Sequence, residues 1–174
     1  MKSILFFCLI AVSALVATGQ VPPKWIDYKS AEGNYTVSLP EQPKLSKQVA
    51  TDPNGKPFDQ HLATTEGSDA TIIIGYFDYQ GSTFSLDRAR DGVVRSVKGK
   101  LVSEAEIKLG SFPGRNMIVE AELDGFSIRA YVRFFDAGQR VYMLQYLVIQ
   151  SDDGPQQKTS IAKLFDSFKV LPRP

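Results

Sequence analysis

Glu122-Leu123-Asp124-Gly125-Phe126-Ser127-Ile128-Arg129-Ala130-Tyr131-Val132-Arg133-Phe134-Phe135 is the stretch that decides the fold class. Asp-Gly tolerates positive φ at both central positions of a tight turn, so Asp124-Gly125 between two apolar runs predicts a two-residue β-hairpin. After the turn the pattern has period two. Phe126, Ile128, Ala130, Val132 and Phe134 face one way, and Arg129, Tyr131, Arg133 and Phe135 the other. Upstream, Met117–Leu123 supplies the first arm. Downstream, Asp136-Ala137-Gly138 turns the chain into Arg140–Ile149, with Val141, Met143, Leu147 and Ile149 on one face. Connections this short force neighbouring strands to run antiparallel.

Working outward, strand patterns recur at Tyr35–Leu39, Leu45–Ala50, His61–Glu66, Ala70–Tyr79 and Leu101–Leu109. The continuous run Ile72-Ile73-Ile74 suits a central strand covered on both faces. Asp52-Pro53-Asn54-Gly55 and Glu66-Gly67-Ser68-Asp69 read as turns. Two helices interrupt the strands. Ser85 can cap the first, where Leu86, Ala89, Val93 and Val97 fall at helical spacing before a stop near Gly99. The second starts at Asp153-Gly154-Pro155 and carries the stripe Ile161, Leu164, Phe165, Phe168. About eight strands and two helices without repeats predict an α+β fold, a meandering antiparallel sheet packed by the helices.

The ends differ in character. Lys2, the apolar run Ile4–Val16 and the small residues Val16-Ala17-Thr18-Gly19 have the layout of a secretory signal peptide, with cleavage near Gly19–Gln20. The run is shorter than the roughly 20 residues of a membrane-spanning helix. Cys8, the only cysteine, lies inside it rather than at the cleavage site, which disfavours a lipid anchor. Residues 20–33 read as an irregular lead-in docking Trp25, and residues 34–171 as a single domain. The expected location is the bacterial periplasm or the extracellular space.

Composition narrows the chemistry. The full chain has 20 bases and 19 acids; removing residues 1–19 takes one lysine and no acid, leaving 19 of each. That balance offers no field to gather nucleic acid. Without a cysteine after the leader, thiol catalysis, thiolate zinc sites and disulfides are all excluded. His61 is the single histidine, and no Gly-x-Ser-x-Gly elbow accompanies it, so it reads as an edge-strand surface residue. Glu120 and Glu122 share a strand face; they read as the wet side of a hairpin, with a carboxylate pair for hydrolysis as the rival. Asp52-Pro53-Asn54-Gly55 lacks the alternating acids of a calcium loop. No catalytic residue, metal or cofactor is expected.

Two surface features remain. Arg88, Arg95 and Lys98 form a basic face on the first helix, partly offset by Asp91. The second is aromatic. If the last hairpin registers them together, Arg129, Tyr131 and Arg133 meet Tyr142, Leu144 and Tyr146 on one sheet face. Such a set can serve as a binding patch, but it reads somewhat better as an amphipathic cover beneath a helix.

Short motifs in chain order carry a resemblance: Tyr35-Thr36-Val37-Ser38-Leu39-Pro40, Leu86-Asp87-Arg88-Ala89-Arg90-Asp91-Gly92-Val93-Val94, Ile107-Lys108-Leu109-Gly110, Pro113-Gly114-Arg115, Arg140-Val141-Tyr142-Met143-Leu144 and Phe165-Asp166-Ser167-Phe168-Lys169. Together, across most of residues 25–171, they resemble a group of uncharacterised secreted bacterial proteins. That group is similar in fold to PsbP, the extrinsic subunit of photosystem II, and to a Ran-binding import factor. The resemblance implies an α/β/α sandwich used for binding or assembly, and it brings no catalytic residues. The expectation is an exported, non-enzymatic module with a protein partner or small ligand. Arg129, Tyr131, Arg133, Tyr142 and Tyr146 are the candidate contacts. A small-ligand carrier with a pocket between sheet and helix, and a carboxylate-dependent hydrolase, are the alternatives.

Overall fold

A computed structural model describes residues 24–51, 56–67, 69–79 and 84–172. The leader, Cys8 and the turn at Asp52-Pro53-Asn54-Gly55 lie outside them. At the centre is the expected hairpin. Strands β7 (Phe112–Leu123) and β8 (Phe126–Asp136) pair antiparallel around Asp124 (φ 51°) and Gly125 (φ 83°). Both turn residues occupy the left-handed region that this tight turn demands. Strand β9 (Arg140–Ile149) continues the meander, and β6 (Lys100–Leu109) precedes it.

The remaining strands are β1 (Ile26–Ser30), β2 (Tyr35–Leu39), β3 (Lys44–Thr51), β4 (Pro57–Glu66), β5 (Thr71–Asp78) and β10 (Lys169–Val170). They form two sheets rather than one. Seven strands run in the order β3-β4-β5-β9-β8-β7-β6, and three in the order β1-β2-β10. Every pairing among these strands is antiparallel. The lead-in is therefore not wholly irregular: Ile26–Ser30 is a strand, because β2 presents it with a full register of partners.

Helix α1 (Leu86–Ser96) bridges β5 and the far-edge strand β6 across one face of the large sheet. Ser85 caps it as expected, its Oγ accepting from the Arg88 amide. The left-handed residue after the helix is Lys98 (φ 49°), not Gly99. Val93 packs there with Met117, Val119, Val132, Phe134, Val141 and Met143. Helix α2 (Pro155–Ser167), entered through a 3-10 turn at Gln150–Asp152, lies with the small sheet on the opposite face.

That second interface holds the larger core. Tyr35, Val37 and Leu39 from β2 meet Ile74, Leu144, Leu164 and Phe168, all nearly inaccessible to solvent. Burying a large aliphatic or aromatic side chain stabilises by roughly 1.5–3 kcal/mol, so this layer is a principal source of stability. Tyr35 sits among Tyr76, Tyr142 and Phe168, with ring centroids 6.4, 6.1 and 5.5 Å away. The run Ile72-Ile73-Ile74 is buried throughout, consistent with the interior position of β5.

Candidate functional site

Alternation along β8 and β9 brings the predicted Tyr/Arg set together. Tyr131 opposes Tyr146, Arg133 opposes Leu144, and Phe135 opposes Tyr142. The face is not open, however. The small sheet and α2 land on it, and the set becomes their bedding. Tyr142 is 1% exposed and Tyr146 4%. Tyr142 donates its hydroxyl to the Gly33 carbonyl (2.9 Å), tying the β1–β2 turn to the large sheet. Burial pushes the Tyr146 hydroxyl pKa above its ordinary value. These two residues present no contact surface, a correction to the sequence expectation. Their amphipathic rings fill a covered layer instead.

Arg129, Tyr131 and Arg133 lie at the rim of that layer. Arg129 bonds Glu120 and Asp153, and both interactions raise its pKa, Glu120 the more. Tyr131 donates to Asp153 Oδ2 at 2.7 Å; burial first and this bond second raise its pKa. The Asp153 carboxylate is itself 1% exposed and just precedes the α2 N-cap Gly154. Arg133 donates from Nε to Asn116 Oδ1 (3.0 Å), and its guanidinium rests 4.3 Å from the Phe165 ring centroid. Desolvation lowers the Arg133 pKa. All three are engaged in fastening α2 to the sheet.

Glu120 and Glu122 do share a face, but Glu120 binds Arg129 while Glu122 accepts from the Ser127 hydroxyl. No proton-sharing pair forms between them. His61 is not on an edge strand, since β4 lies inside β3. Its ring stacks on Tyr76 at 4.7 Å, and Nδ1 is 3.4 Å from Glu32 Oε1.

Three features escaped the sequence reading. One is a charged network at the start of α1. Arg90 and Arg115 both reach Asp87 and Glu104, and Arg90 also binds Asp91, which holds that carboxyl below its usual range. Beside it lies a second feature, a groove of about 410 Å³ lined by Leu86, Ile107, Pro113, Arg115, Lys108 and Glu106.

The third is β3, where the large sheet ends among the described residues. Leu45 is 70% exposed and Val49 66%, and their spacing puts both on one face with Lys47 between them. Leu45 opposes Ala63, which belongs to the core under the small sheet. The pair thus extends that sheet face beyond the elements that cover it. Alternation alone could not find this edge, because neither strand order nor the reach of the second layer is a local property.

No family model and no curated protein matches the sequence. The solution structure of cyanobacterial PsbP (CyanoP) from Synechocystis sp. PCC 6803 is similar over 89% of this chain and 97% of that one, with a TM-score of 0.56 and 11% identity. The fold is PsbP-like. A crystal structure of the Pseudomonas aeruginosa protein PA94, of unknown function, covers 86% of this chain and 98% of its own, with a TM-score of 0.48 and 14% identity. At these identities the PsbP-like likeness speaks of fold alone. No helix among the described residues is long and apolar enough to cross a membrane.

Proposed function

We propose that this protein is an exported, non-enzymatic binding or assembly module whose contact surface is the β3 edge. The PsbP-like sandwich supports the module reading, and the leader-like residues 1–19 support export. The observation that carries the contact assignment is the exposure of Leu45 and Val49 on an end strand. One side of β3 pairs fully with β4; every second residue on the other side turns its N–H and C=O outward. Such an edge adds a strand from a partner, with main-chain bonds giving affinity and the apolar side chains giving selectivity.

The test compares capture by the parent protein with capture by Leu45→Lys/Val49→Lys, using the exported fraction of the native host. Species retained by the parent and lost by the variant are expected. Equal retention by both removes β3 from the reading.

A second reading, the small-ligand carrier, has one observation in its favour: the groove beside Arg115. Apolar Leu86, Ile107 and Pro113 line it together with charged Arg115, Lys108 and Glu106. It lies where the start of α1 meets β6 and β7. Native mass spectrometry of protein purified from its host decides this, since a stoichiometric small molecule that Arg115→Gln releases would favour the carrier.

A further inference from the structure

We infer that the strand accepted by β3 is β3 of a second copy, paired antiparallel about a two-fold axis midway between the two copies of Lys47. This rests on the reading of β3 as the contact surface. The large sheet ends at β3 and β6 among the described residues, and the two edges differ. The β6 register shifts between Leu101 and Ser103, a bulge that interrupts strand addition. The β3 register runs unbroken from Lys44 to Thr51. Of the two edges, only β3 offers a straight template.

The sequence of that template is self-complementary in one register. In a continuous sheet, paired residues share a face, so a two-fold arrangement must set one residue opposite its own copy, with the axis between them. Centred on Ser46, the register sets Leu45 against Lys47. Centred on Gln48, it sets Val49 against Lys47 and Leu45 against Thr51. Centred on Lys47, it sets Leu45 against Val49 twice and Ser46 against Gln48 twice. That last register covers both exposed aliphatic side chains with aliphatic partners.

Lys47 then faces its own copy, which would repel if the ammonium groups were unpaired. Each is held 2.7 Å from Asp59 on β4, so the row Asp59–Lys47–Lys47–Asp59 is formally neutral. The same ion pair argues against an acidic peptide as the occupant, because Lys47 already has its counter-charge. The whole chain carries a formal charge of only +1, so copies do not repel at long range. Using β3 in both copies closes the assembly, and the bulged β6 edge does not propagate it. The product is a dimer, not a filament. One strand pair is a small interface, so association falls between the micromolar and millimolar marks.

Sedimentation velocity across that concentration range, on protein expressed and exported by its native host, tests the inference. The parent is expected to pass from monomer to dimer. Leu45→Lys and Val49→Lys should each weaken association at least tenfold, with unchanged circular dichroism. Mixing Leu45→Lys with Val49→Glu provides the register test: the heterodimer should be tighter than either variant's homodimer, because the introduced ammonium then meets the introduced carboxylate across the seam while Val49 of one copy still meets Leu45 of the other. A parent that stays monomeric overturns the inference, as does a dimer indifferent to Leu45 and Val49. So does a mixture that associates no better than its components. A monomeric parent that still captures another species through β3 overturns self-pairing alone and leaves the proposed function standing.

Discussion

Replacing Asp153 by alanine should loosen the start of α2 from the sheet. Its carboxylate is buried immediately before the helix N-cap, and Oδ2 accepts from both Arg129 Nη1 and Tyr131 Oη. Hydrogen bonds to charged groups contribute about 1.5–3 kcal/mol each. Removing one member of a buried ion pair costs about 3–5 kcal/mol. Two features pull the value down here. Arg129 is partly exposed and keeps Glu120 as a partner. Asp153 Oδ1 is buried without a partner, so the parent carboxylate already carries one unmet acceptor.

The expected loss is therefore about 2–4 kcal/mol, or roughly 4–16 °C in Tm for a domain of this size. Asp153→Asn keeps the shape and should lose less. Urea unfolding followed by circular dichroism measures the loss. A double-mutant cycle with Tyr131→Phe should show coupling of at least about 0.5 kcal/mol. Amide exchange should quicken in the first turn of α2 while β5 stays protected. A cost below about 0.5 kcal/mol, or strict additivity with Tyr131→Phe, would refute the role given to this cluster.

Tyr142→Phe removes a buried donor and leaves the Gly33 carbonyl without it; about 1–2 kcal/mol should be lost in thermal unfolding, and no change would deny that the bond fastens the β1–β2 turn. Gly114→Ala would bring a Cβ to 2.5 Å from the Phe134 carbonyl oxygen and 2.6 Å from Phe135 Cδ1. Since backbone cannot move cheaply, a loss of about 2–3 kcal/mol or failure to fold is expected, and a normal urea midpoint would contradict it. Burial, with Glu32 next to Tyr76 and Asp136 bonded to Tyr79, pushes both hydroxyls up to about 12. The fold thus favours their neutral forms: this stability is fully present below about pH 10, the ordinary tyrosine value, and is lost as pH rises through about 12. Tyrosinate absorbance and circular dichroism recorded together should show that loss; ionisation of both residues near pH 10 would contradict it.

Local chemistry left the clearest marks. Asp124-Gly125 demanded a tight hairpin, and the turn angles show it. Ser85 and Pro155 stand at the helix starts they predicted, at the cap and the first turn. Alternation along β8 and β9 correctly sorted the faces, including the meeting of Tyr131 with Tyr146. Two strands escaped. β10 has two residues, too few to display a period, and β1 follows Pro22-Pro23 with only five. Both exist because β2 lies between them and satisfies their backbone groups.

From the sequence alone came the antiparallel class, the two helices and the two-sidedness of each strand, because those follow from steric rules spanning a few residues. Which side meets solvent was decided only by tertiary structure. Tyr and Arg each pair an apolar body with a polar tip, so one alternating set suits a wet surface or a covered layer. The choice fell to contacts such as Gly33 with Tyr142, separated by 109 positions. The same layer stops short of β3, leaving Leu45 and Val49 in water. Exposure there is a matter of where a distant element ends, which no short window of sequence encodes.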